Sequence, residues 1–166
     1  MPWKKRTNEE LKQISGHLLY EYHLFNACIK LIPSPIIQTN DALRSALIES
    51  FAIHTRNLLK FFYDEKLRED DVVASDFYPE QNEWGLIKEK YNNKDLLKQI
   101  FNRVNKEVAH ITYKRLEVTQ EEKSWGKIIN LTKNLLNQLF EEFLLSVSED
   151  NIGVDLLGMK KQFHRK

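Results

Sequence analysis

Long stretches of this chain repeat apolar residues every three or four positions, and almost nothing interrupts them. The 5 glycines and 4 prolines fall mostly between those stretches. A three-four rhythm of this length buries one face of a helix and is incompatible with the strict alternation of a half-buried strand. The first segment runs from about Thr7, which can cap a helix with Glu10 three residues on, to about Ile32, where Pro33-Ser34-Pro35 ends it. Asn40 or Asp41 opens the second, whose apolar positions Leu43, Leu47, Phe51, Leu58 and Phe61 predict a buried face that fades near Asp64. A connection from Lys66 to Glu83 precedes a short helix expected over Trp84 to Tyr91. The third long helix is expected from Asn93 or Lys94 to about Tyr113, with Leu97, Phe101, Val104, Val108 and Ile111 on its inner stripe. The fourth is expected from Thr119, with Glu122 completing a second capping box, to about Val147. Four such helices with short connections predict an all-α fold: an antiparallel four-helix bundle with a short extra helix. It is expected as one domain over residues 1–150, followed by a basic C-terminal tail over 151–166. That tail, with Lys160, Lys161, His164, Arg165 and Lys166, is expected to be a solvated, frayed end.

Composition narrows the function classes. The chain is 42% hydrophobic and 30% charged, which is the profile of an ordinary globular protein and not of a disordered one. With 25 basic and 24 acidic residues there is no global field to recruit nucleic acid, so any such contact would be local. The single cysteine, Cys28, lies among Phe25, Ile29 and Leu31 and reads as a small buried hydrophobe. A lone cysteine forbids an internal disulfide and fits a reducing compartment. The charged start Met-Pro-Trp-Lys-Lys-Arg has no apolar run behind it, and no apolar segment approaches the roughly 18 residues that span a bilayer. A cytoplasmic protein with no membrane contact is the expectation.

Chemistry concentrates on the third helix. Arg103 and His110 are seven positions apart, close to two turns, so their side chains leave one face about 10 Å from each other. A permanent cation beside a group that exchanges protons near neutrality suits phosphodiester cleavage. On the second helix His54 lies between Phe51 and Leu58 on the inner stripe, with Arg56 and Asn57 next to it. If the second and third helices pack, His54 and Asn57 meet Arg103, Asn105 or His110, as a site or as a structural network. A metal is not expected. Glu107-Val108-Ala109-His110 occurs once where a di-iron bundle needs two such pairs, and His17 and His23 are six apart. Asp70, Asp71 and Asp76 read more readily as helix caps or ion-pair partners than as cation ligands. Phe77, Tyr78 and Trp84 read as packing at one end of the bundle and not as base-stacking groups. A second stripe of the third helix, Leu96, Ile100, Arg103, Glu107 and His110, is partly apolar, and a two-fold axis beside it would bury it in a homodimer.

The helix bearing Arg103 and His110 resembles the signature of the HEPN superfamily, helical-bundle proteins of prokaryotic defence and toxin systems. That signature is an arginine and a histidine with four to six residues between them and a polar residue soon after the arginine. Here six residues intervene and Asn105 is the polar residue. The phrase Asn105-Lys106-Glu107-Val108-Ala109-His110-Ile111-Thr112 is similar to the version found in members associated with abortive infection, and the resemblance covers roughly Asp41 to Val147. It implies a metal-independent, cofactor-free endoribonuclease of the phage-defence or toxin–antitoxin type, built at a two-fold interface. His110 would move a proton at the ribose 2'-hydroxyl or the leaving oxygen, and Arg103 would hold the scissile phosphate. Asn105 would orient one of them, with Tyr113, Lys106, His54 and Asn57 contacting RNA. An antitoxin or other protein partner is implied as well. The alternative is a non-catalytic helical module that binds RNA or protein, in which the same polar group only locks the bundle.

Overall fold

A computed structural model describes residues 6–63, 70–106 and 125–163; for Gln81, Asn105 and Lys106 it describes the backbone alone. Every regular element among them is helical, and no strand occurs. In chain order these are α1 (Asn8–Leu31), the single turn α2 (Pro35–Gln38), α3 (Asp41–Tyr63), α4 (Gln81–Glu89), α5 (Lys94–Lys106), α6 (Gly126–Ser146) and α7 (Val154–Phe163). Two 3-10 turns, Ala74–Phe77 and Glu149–Asn151, join them. No helix is long and apolar enough to cross a membrane among the described residues.

The helix starts follow from local side-chain chemistry. Thr7 Oγ1 accepts from the Glu10 amide at 3.2 Å while the Thr7 amide donates to Glu10 Oε2 at 2.8 Å, the reciprocal capping expected of this pair. Asn40 Oδ1 accepts from the Leu43 amide at the start of α3, and Asn93 Oδ1 from the Leu96 amide at the start of α5. The second expected capping box, at Thr119 and Glu122, lies outside the described residues.

The chain divides into two compact units. The first combines α1 up to Glu21, the segment Leu58–Asn92 and the chain from Leu136 onward. Its core is aromatic and centred on Phe143 of α6, whose ring lies 5.3–5.4 Å from those of Phe77 and Phe61 and 5.9 Å from Trp84. The crossings are edge-to-face, the geometry ring quadrupoles favour. Trp84 Nε1 donates to the Phe62 carbonyl at 2.8 Å, so burying the indole also satisfies an acceptor in the last turn of α3.

The solvated, frayed end expected after residue 150 is corrected over residues 154–163, while His164, Arg165 and Lys166 lie outside the described residues. Residues 154–163 form α7, Leu156 and Lys160 are buried, and Lys160 Nζ donates to the carbonyls of Val147 at 2.6 Å and Leu145 at 3.2 Å. A lysine placed there neutralises carbonyls that the end of α6 leaves unpaired. The start of α7 is fixed to α1, because the Gly153 amide donates to Ser15 Oγ at 2.8 Å.

The second unit combines Tyr22–Asn57 with the chain from Asn93 to Leu135. Phe25 of α1 stacks on Phe51 of α3 at 5.6 Å, and Trp125, just before α6, meets Phe51 edge-on at 6.4 Å. Cys28 is buried, with its thiol 3.5 Å from Ser50 Oγ. Leu43, expected on the buried face of its helix, is instead half-exposed.

Candidate functional site

Arg103 lies on α5 with only 8% of its surface exposed. Its guanidinium carbon sits 4.7 Å above the centre of the Trp125 ring. Trp125 is itself backed by Phe51, which is fully buried and stacked on Phe25. The result is a column: a cation on an indole, the indole on a phenyl, the phenyl on a second phenyl. A planar guanidinium gains from both the ring quadrupole and the dispersion contact, and partial burial strengthens the electrostatic part. The column holds α5, the residue that leads into α6, α3 and α1 in one register within this unit.

The inner face of α5 is rotated from the stripe expected of it. Leu97, Ile100, Arg103 and Val104 are buried, whereas Phe101 is only half-buried. Ile100 is fully buried within the single chain. Of the stripe expected at a two-fold interface, Ile100 and Arg103 are buried, Leu96 is half-buried, and Glu107 and His110 lie outside the described residues.

His54, on α3, is buried as its place on the inner stripe predicts, while Arg56 and Asn57 beside it are exposed. His110 and Tyr113 lie outside the described residues, as do the side chains of Asn105 and Lys106. Of the residues assigned to catalysis or RNA contact, the described positions are thus Arg103, His54 and Asn57. Trp125, the partner that defines the environment of Arg103, carries no chemical motif. A tryptophan opening a helix after a polar stretch was its only available signal.

Two further polar groups share this unit. Thr55 of α3 and Thr132 of α6 are completely buried, and neither hydroxyl finds a hydrogen-bond partner among the described residues. A threonine inside a helix commonly returns its hydroxyl to the carbonyl one turn back, so the unpaired state carries a desolvation cost.

The acidic stretch expected as caps or ion pairs contains one clear cap. Asp76 is buried, and its Oδ2 accepts from the Val73 amide at 3.2 Å, closing the 3-10 turn. Asp70 is exposed and Asp71 half-buried. Among the described residues no group of three or more His, Cys, Asp or Glu side chains is arranged to hold a metal ion.

Among the described residues, the titratable groups with displaced proton affinity belong to the first unit. Burial raises the Tyr63 and Tyr78 hydroxyls above the ordinary tyrosine range. Tyr91 is raised chiefly by its 2.8 Å hydrogen bond to Glu142 Oε1. Desolvation lowers Lys160. All four serve packing: Tyr63 donates to the Tyr91 carbonyl at 3.0 Å, and Tyr78 shares a 2.7 Å bond with Ser146. Comparison of the chain with protein-family models, with curated proteins and with solved structures finds no match.

Proposed function

We propose that this chain is a HEPN-like helical-bundle module that works by binding a protein partner, without catalysis, and that Arg103 serves its architecture. The observation that supports this reading is the seat of the Arg103 guanidinium, 8% exposed and 4.7 Å over Trp125. An arginine that stabilises a scissile phosphate must present its fork of donors to a polymer reaching it from solvent. To do so here, Arg103 would leave an aromatic face whose contact is worth about 0.5–2 kcal/mol. The balance of 25 basic against 24 acidic residues also favours a protein over nucleic acid as partner, because RNA affinity draws heavily on cations. An antitoxin-like protein is one partner of this class.

The competing reading is the metal-independent ribonuclease, with Arg103 and His110 acting across a two-fold interface. One feature favours it: a guanidinium clamped by a tryptophan is pre-oriented, and pre-orientation is what phosphate stabilisation requires.

Metal-free protein incubated with mixed RNA, beside Arg103→Ala and His110→Ala, separates the two. The binding-module reading expects no cleavage by wild type. It also expects Arg103→Ala to melt roughly 2–12 °C lower, from about 1–3 kcal/mol of lost packing and cation–π contact in a chain of this length. Cleavage that persists in EDTA and disappears in both variants overturns it.

A further inference from the structure

The near-equal numbers of basic and acidic residues conceal an uneven division between the two compact units. The second unit, Tyr22–Asn57 with Asn93–Leu135, holds 12 basic and 7 acidic residues, a net charge of +5 with histidine neutral. The first holds 13 basic and 17 acidic residues, a net charge of −4. A basic unit within a nearly neutral chain makes a local field, and the partner that such a field suits is an anion. Among the described residues of the second unit, Lys30, Arg56, Lys94, Lys98, Lys127 and Lys133 are exposed and take part in no ion pair or hydrogen bond. Few described carboxylates offset them. Asp41 is paired with Arg44 at 3.0 Å, which leaves Glu49 and Asp95.

Part of this charge is set in a row. Lys94, Lys98 and Asn102 recur every four positions of α5 and are exposed, while Leu97, Ile100 and Val104 turn away from them into the core. The two ammonium groups therefore leave the helix about 6 Å apart along its axis, with Asp95 the one carboxylate on that side. The same helix carries Arg103 onto Trp125, and Lys127 follows that indole by two residues, so a third unpaired ammonium starts in the same neighbourhood.

The other side chains decide which anion fits. Proteins that hold single-stranded nucleic acid add exposed aromatic rings on which bases stack, and no Phe, Tyr or Trp of this unit is exposed among the described residues. Attachment to an anionic membrane needs apolar groups that enter it. The exposed side chains described on α5 are Lys94, Asp95, Lys98, Gln99 and Asn102, none of them apolar. Glutamates four apart on a helix repeat at the same spacing as Lys94 and Lys98 and can meet both at once.

We infer that the outer row of α5, Lys94, Lys98 and Asn102, with Lys127 at the start of α6, is the docking surface for an acidic segment of a partner protein. The inference rests on the reading of this chain as a protein-binding module and names the chemistry of the partner. Exposed ion pairs are individually weak, so the surface steers and selects the partner more than it holds it.

Fluorescence anisotropy of the full chain with labelled poly-L-glutamate of about 20 residues tests it, beside a uridine oligonucleotide of about the same length. Wild type is expected to bind the glutamate probe with a Kd of about 10–100 µM in about 50 mM salt, and several-fold more weakly in about 300 mM salt. Lys94→Glu/Lys98→Glu is expected to weaken that binding at least about tenfold. Lys12→Glu/Lys161→Glu, an equal charge change at exposed lysines of the first unit, is expected to alter it less than about twofold. Lys94 opens α5, where a carboxylate is favourable, so the α5 variant should melt with wild type; if it melts lower, Lys94→Gln/Lys98→Gln is read in its place. No binding of the glutamate probe, or equal weakening by the two double variants, overturns the inference and leaves the protein-binding reading standing. Tighter binding of uncut oligonucleotide than of poly-glutamate overturns it by making nucleic acid the partner. Cleavage of the oligonucleotide overturns the protein-binding reading itself, a result separable from the others by the length of the recovered RNA.

Discussion

Gly153→Ala tests how α7 is held, and its cost can be worked from four atoms. A β-carbon at Gly153 would stand 3.0 Å from the Lys12 carbonyl oxygen and 3.1 Å from Ser15 Oγ. Neither neighbour can yield cheaply. The Lys12 oxygen is helix backbone, and Ser15 is 1% exposed with its hydroxyl engaged twice, donating to Lys12 at 2.7 Å and accepting from Gly153 at 2.8 Å. Relief requires moving the start of α7 outward by a few tenths of an ångström, which stretches the Gly153–Ser15 bond. Overpacking of this kind costs about 1–3 kcal/mol, and a weakened buried hydrogen bond adds up to about 1 kcal/mol. The lower entropy of the unfolded alanine chain returns about 0.4–1 kcal/mol. The expected net destabilisation is about 1–2 kcal/mol, or a melting temperature roughly 2–8 °C lower for a chain of this length. Urea and thermal melts of Gly153→Ala, Ser15→Ala and the double variant form a cycle. Removing Ser15 Oγ takes away one of the two obstructing atoms, so the alanine should cost less in the Ser15→Ala background, with a coupling of about 0.5–2 kcal/mol. A Gly153→Ala protein as stable as wild type, or zero coupling in the cycle, would refute the geometry.

Thr55→Val and Thr132→Val should each stabilise the protein by about 1 kcal/mol, because each removes a buried hydroxyl that has no partner; a loss of stability in urea melts would show that the hydroxyls are bonded after all. Lys160→Met should destabilise by about 1–3 kcal/mol, since it keeps the apolar stem but strips the Leu145 and Val147 carbonyls of their donor. An unchanged urea midpoint would exclude that role. The raised tyrosines set an alkaline limit: their contribution is intact below the unfolded value of about 10 and is lost as pH rises past it toward the higher folded values, because the unfolded chain ionises first. Stability measured between about pH 8 and pH 11 should fall, and Tyr91→Phe should flatten the fall; a flat wild-type profile would contradict the tyrosine environments.

The parts of the fold that could be read from the chain are those whose causes are local. Thr7, Asn40 and Asn93 announce helix starts because each bonds an amide three residues on, and no distant residue can change that arithmetic. The helix at residues 154–163 escaped for an equally specific reason. Its inward positions Ile152, Leu156 and Lys160 are spaced four apart, but the third is a lysine, so the apolar stripe breaks where it would have become recognisable. Only the terminal carbonyls of α6, invisible in sequence, explain why a cation belongs there.

Arg103 carries the same lesson into chemistry. Spacing along one helix can place two side chains on a common face, but it says nothing of what the rest of the chain sets against that face. The core side of α5 is centred between the two stripes that periodicity distinguishes, so Ile100 and Arg103 turn inward while Phe101 moves toward the edge. A difference of one stripe is small for packing, since an apolar side chain is tolerated on either. For a cation it changes the surroundings: on the inner stripe the guanidinium stands at the end of an aromatic column through Trp125, Phe51 and Phe25. Trp125 lies 22 positions further along the chain, and no local pattern ties it to Arg103. The surroundings of this arginine are therefore set by a long-range contact, and the comparison of Arg103→Ala with Arg103→Lys reads the weight of that contact in stability. A lysine keeps the charge but not the flat face, so if the ring contact matters, stability falls in both variants, and if charge alone matters it falls only in the first.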